Sequence, residues 1–412
     1  MRMAPRGGVR AWQWIRVGKD HPECTLRGLI MFDEERRQRA LDELNVLDTP
    51  PDERVDRITR LAQEIFGVPM ASVNLIDRER QWSKSAMGFE AEDVPRQETF
   101  CDTTIQQPDS LVIEDLEKYA PFAQSRYVTG APNLRFYAGH PIEAPGGERV
   151  GALCLMDTKP RELNQQDRQL LKDLALWVQT ELAQQQELDH AAVIQRALHP
   201  RQLPEPTGFT VRADSRPAGG VSGDFHDALL RNGRLRVTLA DVMGKGMGAG
   251  IIASAVRSSM RTVPNRTLLE TVSDIDVMLQ EDIGDLNMFA TIFCADIDTT
   301  TGRLEYVDGG HSLSFIYRAD GTWEHLHSTG LPLAMGLGES YGLSSAQLNP
   351  GDALLCCSDG VLDLLDPENP FLEVTKILAA HGVDGSVSEA MAFAERQRAP
   401  DDVTVVTVRR HA

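Results

Sequence analysis

Four aspartates stand in four separate turn-like segments of the C-terminal half of the chain. They are Asp224 in Ser222-Gly223-Asp224, Asp241 in Ala240-Asp241-Val242-Met243-Gly244-Lys245-Gly246, Asp359 in Ser358-Asp359-Gly360, and Asp401 in Pro400-Asp401-Asp402. Three of the segments set the carboxylate beside a glycine or at the end of an apolar strand. Hard divalent cations take carboxylate, carbonyl and water oxygens in octahedral geometry, and such segments supply them. Two ions held by shared carboxylates can hydrolyse a phosphate ester. Any one of these aspartates alone reads as an ordinary turn or cap residue.

The elements that must position them follow from the apolar pattern. Strands are expected at Leu235–Ala240, Ala290–Ile297, Leu304–Val307, Leu313–Tyr317, Ala353–Cys357 and Val403–Val408. Helices are expected at Met247–Thr262 and Thr267–Ile283, with others between Phe371 and Arg396. Asp241 then ends one apolar strand before a glycine-rich turn into a helix, where Gly244 and Gly246 allow the sharp bend. Asp359 projects from the end of Leu354-Leu355-Cys356-Cys357, Asp401 lies at the mouth of the final strand, and Asp224 sits on a flexible Gly-Asp turn. Strands running around helices suggest an α/β sandwich with sheets inside and helices outside.

The preceding half reads as a separate α+β module, and 412 residues exceed one ordinary core. A helix is expected over Phe32–Leu47, a second carries Val55, Ile58, Leu61, Ile65 and Phe66, and strands are expected at Ala71–Ile76, Ser110–Ile113, Arg135–Ile142 and Arg149–Met156. Ala144-Pro145-Gly146-Gly147-Glu148 marks a hairpin turn between the last two. From Asn164 to His199 there is neither Gly nor Pro, and Leu171, Leu174, Val178 and Leu182 recur at helical spacing before Pro200, Pro204 and Pro206 end the run. This long helix packs on a domain and permits a homodimer seam. Residues 1–31 show no clear period and are expected to be a disordered arm, with Met31 a candidate true start; the arm has no signal-peptide core.

A net charge of -19 disfavours direct nucleic-acid binding. No stretch approaches the roughly 20 apolar residues of a membrane helix, and the scattered cysteines fit a reducing cytoplasm. Cys101 reads as a buried core thiol.

Two resemblances sharpen these readings. Residues 32–182 resemble a GAF sensory domain through Leu41-Asp42-Glu43-Leu44-Asn45-Val46-Leu47-Asp48-Thr49-Pro50-Pro51, Ala71-Ser72-Val73-Asn74-Leu75-Ile76-Asp77 and Val150-Gly151-Ala152-Leu153-Cys154-Leu155-Met156-Asp157. That implies an antiparallel sheet with flanking helices and an unnamed small-molecule ligand. Residues 183–206 then form a linker helix and Pro-rich hinge. Residues 207–412 resemble the SpoIIE-like branch of the type 2C metal-dependent serine/threonine phosphatases. Six segments in register carry this, among them Gly219 to Asp227, Asp241 to Gly246, Met288 through Ser312, and Ser358-Asp359-Gly360-Val361.

The resemblance implies two Mn2+ or Mg2+ ions held by Asp224, Asp241, Asp359 and Asp401, with the Val242 carbonyl contributing. Asp402 is a weaker ligand, a group behind the ligands, or a surface residue. His226 reads as a solvated loop residue or a general acid, His311 as fixing a turn, and Lys245 as solvated. The implied function is hydrolysis of phosphoserine or phosphothreonine on a regulatory protein, such as a phosphorylated anti-sigma-factor antagonist, under control of the GAF domain. The competing readings are a catalytically silent scaffold and a ligand-sensing adaptor.

Overall fold

The computed structural model describes residues 34–200, 202–262, 266–338 and 340–412; the expected arm at 1–31 lies outside them. The chain divides into two units between Gln186 and Glu187.

In the first unit, helix α1 (34–44) precedes α2 (Glu53–Phe66). Asp52 caps α2 by accepting from the Arg54 amide, and Gly67 ends it in the left-handed region at φ 57°. Strands β1 (Met70–Ile76), β2 (Arg80–Met87), β3 (Val94–Pro95), β4 (Leu111–Ile113), β5 (Phe136–Glu143) and β6 (Arg149–Asp157) form one antiparallel sheet in the order β3-β2-β1-β6-β5-β4. Short helices α3 (Phe100–Thr104) and α4 (Arg126–Thr129) lie between strands. The apolar-rich strands β1, β5 and β6 occupy the centre, and each of their faces buries a core. One face packs Val73, Leu75, Leu153 and Leu155 against Leu41 and Leu44 of α1, Val55 and Ile58 of α2, and the Leu171, Leu174, Val178, Leu182 stripe. That stripe belongs to α5 (Gln165–Leu198), which runs unbroken through Gln184-Gln185-Gln186.

The second unit is a four-layered sandwich. Strands β7 (Phe209–Arg216), β8 (Asp224–Arg231), β9 (Arg234–Val242), β10 (Ala290–Asp298), β11 (Arg303–Gly309), β12 (Ser314–Tyr317), β13 (Trp323–His325), β14 (Ser344–Gln347), β15 (Ala353–Cys357) and β16 (Val403–Arg410) form two sheets. Their orders are β14-β11-β10-β9-β8 and β13-β12-β15-β16-β7. Between them lie Leu235, Val237, Leu239, Phe293, Ala295, Leu354, Cys356, Val406 and Val408. Strand alternation sends the neighbouring residues outward. Ala240, Val242 and Ile292 pack on α6 (Met247–Thr262) and α7 (Leu268–Ile283), and Val403 and Val405 pack on α8 (Pro370–Gln397). Truncating Leu239, fully buried between the sheets, to alanine would cost about 2–5 kcal/mol.

The expected elements are present, with boundaries within a few residues, but five strands escape the apolar pattern. β2, sequence RQWSKSAM, is mostly half-exposed and polar. β7 carries Arg212, Asp214 and Arg216, and β3, β13 and β14 are short edge strands. A sixth difference matters more. The segment expected to be a flexible turn at Asp224 is the start of β8, a buried strand.

Candidate metal centre

The antiparallel register of β8 and β9 sets Asp224 directly opposite Asp241. Their neighbours Phe225 and Ala240 face outward into the α6–α7 core, so alternation turns both carboxylates to the inner face at the sheet's end. The second sheet arrives at the same place. Asp224 lies against the hydroxyls of Ser358, just after β15, and Thr404 on β16. Ser358 Oγ also accepts from the Thr404 amide at 2.9 Å and donates to the Asp402 carbonyl at 3.1 Å, tying the two strand ends together. Asp359 and Asp401 extend from those ends.

Two glycines make the approach feasible. A Cβ on Gly223 would lie 2.9 Å from the Val242 carbonyl oxygen and 3.2 Å from Ala249 Cβ. One on Gly360 would lie 2.2 Å from the Asp402 carbonyl oxygen. Gly244 and Gly246, at φ 96° and 79°, turn the chain from β9 into α6.

Asp402 is buried, and both its oxygens are engaged. They accept from the amides of Ala218 and Gly223, each at 2.7 Å, and so fix the loop that delivers Asp224. A second clamp comes from α5. The Gln195 amide donates to the Ser222 carbonyl at 2.6 Å and accepts from the Ser222 N–H at 2.8 Å. Lys245 is not merely solvated: its ammonium donates to the Pro400 carbonyl at 2.7 Å and pairs with Asp401 at 2.8 Å.

The electrostatics register the crowding. Burial first, and then Asp241, hold the Asp224 carboxyl well above the usual range, against the Thr404 and Ser358 hydrogen bonds. Burial, followed by Asp359, Asp401 and Asp402, pushes Asp241 up to about 6. Asp359 rises through burial and then Asp401. One ammonium thus faces several mutually repelling carboxylates, and Asp224 Oδ2 is buried without a hydrogen-bond partner among the described residues. Both features fit divalent cations. Among the described residues no three acidic, histidine or cysteine side chains are drawn to metal-holding distance as they stand; a cation would have to draw them together.

His226 is a correction to the solvated-loop reading. It lies on β8, only 6 % exposed, with Nδ1 unpartnered among the described residues and its ring 5.0 Å from that of His199. Burial holds it at about 3, so it is neutral. His311 is buried beside a turn whose amides, its own and that of Ser312, are held by the Asp308 carboxylate. Asp308, Gln195, Ser358 and Thr404 carry no role that their residue types alone announce. Three of them lie in the Asp-Gly-Gly-His, Ser-Asp-Gly and Asp-Asp-Val-Thr runs; Gln195 has no such signal.

Residues 231–411 match the family described as Stage II sporulation protein E (SpoIIE), and residues 50–182 match the GAF domain. The SpoIIE match begins after Asp224; it is the β8–β9 pairing that brings this carboxylate to the site. Protein IcfG of Synechocystis sp. is 33% identical over 214 residues, covering 45% of this chain and 34% of its own length. Cyclic di-GMP phosphodiesterase PA2567 of Pseudomonas aeruginosa is 30% identical over 212 residues, 51% of this chain and 33% of its own. Phosphoserine phosphatase RsbU of Bacillus subtilis is 25% identical over 236 residues, 54% of this chain and 70% of its own. The chain therefore spans only about a third of the first two relatives, and the activity named for the second differs from that named for the third. Among the described residues no helix is long and apolar enough to cross a membrane. Two family matches thus follow one another along the chain, the GAF domain over residues 50–182 and SpoIIE over residues 231–411.

Proposed function

We propose that the second unit, taken as residues 207–412, is a metal-dependent phosphatase acting on phosphoserine or phosphothreonine of a regulatory protein. The observation that carries this is the Asp224–Asp241 pair across β8 and β9, electrostatically coupled to Asp359, Asp401 and Asp402. Asp224, Asp241, Asp359 and Asp401 would hold two Mn2+ or Mg2+ ions, with the Val242 carbonyl contributing. When bound, the ions supply an acidified water and positive charge for phosphoryl oxygens. Asp402 holds the Gly223 amide and so aims Asp224, a positioning role and not direct ligation. Lys245 restrains Asp401 and adds positive charge at the mouth of the site for an incoming phosphate.

Residues 32–182 would act as the sensory domain for a small-molecule ligand, with residues 183–206 as the connection. Helix α5 supports this reading. Its Leu171–Leu182 stripe sits in one core, while Gln195 near its other end clamps Ser222, two residues before Asp224. Its exposed Val193 and Ile194 support pairing with a second copy. The likeness to RsbU supports a phosphoserine substrate, and the resemblance read from the sequence points to an anti-sigma-factor antagonist in the cytoplasm.

The test is release of phosphate from a phosphoserine protein by the full chain with Mn2+ and with chelator. The reading expects turnover only with metal, lost in Asp359→Asn. A folded, metal-saturated chain that binds the phosphoprotein without turnover would favour the scaffold instead.

A further inference from the structure

Cys101 on α3 and Cys154 on β6 are both buried in the first unit, with their sulfurs 3.0 Å apart. That is about 1 Å farther apart than bonded sulfurs. Polar groups converge on this pair inside an otherwise apolar cluster of Met70, Ile76, Phe100, Ile113 and Ala152. Asn74 Nδ2 donates to Cys101 Sγ at 3.3 Å. The Tyr137 hydroxyl lies 3.6 Å from Cys101 Sγ, 3.4 Å from Cys154 Sγ and 2.6 Å from Thr104 Oγ1.

The arrangement is held from behind. Asn74 Oδ1 accepts from Ser83 at 2.8 Å, which leaves Nδ2 facing the sulfur. A register shift between Val73 and Asn74 re-aims this side chain. At Gly139 a Cβ would lie 2.3 Å from the Tyr137 hydroxyl oxygen, so glycine there makes room for the phenol.

A structural cysteine packs as a small apolar side chain and needs none of these donors; a thiolate does need them. Burial pulls the Cys101 thiol up, but hydrogen bonds from Cys154, Asn74 and Tyr137 outweigh it and set the thiol below its usual range. Burial and Cys101 push Cys154 well above its own. A cavity of about 440 Å3, lined by Cys101, Asn74, Phe89, Val94 and Phe100, reaches the Cys101 side of the pair. A water occupies about 30 Å3, so a hydroperoxide is readily accommodated.

We propose that Cys101 and Cys154 form a dithiol oxidised by hydrogen peroxide or a small alkyl hydroperoxide. The Cys101 thiolate attacks the terminal peroxide oxygen; the O–O bond breaks, and the departing oxygen takes a proton and leaves as water or alcohol. Cys154 sulfur then attacks the sulfur of the Cys101 sulfenic acid. The S–S bond forms, the S–O bond breaks, and water leaves with the Cys154 proton. Two thiols lose two electrons and the peroxide gains them. The pair thereby gives the first unit a chemical input that requires no bound metabolite.

The experiment treats the reduced full chain with stoichiometric hydrogen peroxide, then quenches, denatures and alkylates it. The expected result is loss of two of the six cysteine thiols, with a reducible cross-link joining the Cys101 and Cys154 peptides. Cys154→Ser should stop at a Cys101 sulfenic acid that dimedone traps, and Cys101→Ser should slow oxidation of Cys154 by about tenfold or more. Retention of all six thiols, or earlier oxidation of Cys24, Cys294, Cys356 or Cys357, overturns the proposal. The wild-type thiol count decides the matter even if a variant fails to fold.

Discussion

Replacing Asp241 with asparagine should stabilise the metal-free protein while removing its activity. The Asp241 carboxyl sits at about 6 in the folded chain against an ordinary 3.8. The folded state therefore binds this proton more tightly than the unfolded state. Between those two values stability falls as pH rises, and above the upper one the full penalty is present. A difference of roughly two units corresponds to about 3 kcal/mol, at 1.36 kcal/mol per unit. Asp241 is partly open to water and faces the Asp224 carboxyl across the strand pair, so a gain of about 1–3 kcal/mol is expected near neutral pH.

Asparagine keeps the shape, carries no charge, and can donate to the Asp224 carboxylate. In a unit of this size each kcal/mol is about 2–4 °C in Tm. The assay is thermal unfolding in chelator and again in Mn2+. In chelator the variant should melt several degrees above wild type, and the wild type should gain more than the variant as pH is lowered toward 5, because Asp224 and Asp359 remain raised in both. With metal at about 100 times Kd the wild type should gain about 2.7 kcal/mol for each ion bound; the variant should gain much less, reversing the order. A variant that is less stable in chelator, or that gains as much from Mn2+ as wild type, would refute the reasoning.

Other perturbations follow from the same geometry. Gly223→Ala must displace the Val242 carbonyl, now 2.9 Å from where the methyl would lie; activity should fall by about tenfold or more in a chain whose far-UV spectrum is unchanged. Asp402→Ala leaves the Ala218 and Gly223 amides without their acceptor, which should cost about 1–3 kcal/mol for each unpaired group in denaturant unfolding and weaken Mn2+ binding. Gln195→Ala frees both backbone groups of Ser222; basal phosphatase activity should change while Mn2+ affinity of a fragment of residues 187–412 shifts in the same direction, and unchanged values of both would remove α5 from the control of the site.

Where apolar period and turn chemistry agree, the sequence is a faithful guide. The β9–turn–α6 passage around Asp241 and the β15 strand ahead of Asp359 could be drawn from residue order alone. β8 could not, because Asp224, His226 and Asp227 are polar residues buried by tertiary partners, and Asp227 is neutralised by Arg261. Strand identity there depends on pairing with β9, a long-range fact with no local signature. The same holds for Gln195, which reads as one more polar residue on a helix until its side chain is seen bound to Ser222. Lys245 shows the limit of residue-by-residue reading: a glycine-flanked lysine is ordinarily solvated, and only the fold brings Asp401 to it. The thiol pair is legible only in three dimensions, since 53 residues separate its members.

The central claim is that these carboxylates bind two divalent ions and that the ions drive phosphate ester hydrolysis. The most direct measurement counts Mn2+ bound per chain at saturation while following p-nitrophenyl phosphate hydrolysis, in wild type and in Asp241→Asn. The account predicts two ions per chain with activity rising as they bind, and loss of both binding and activity in the variant. Hydrolysis that persists without metal, or a variant that keeps its activity, would contradict it.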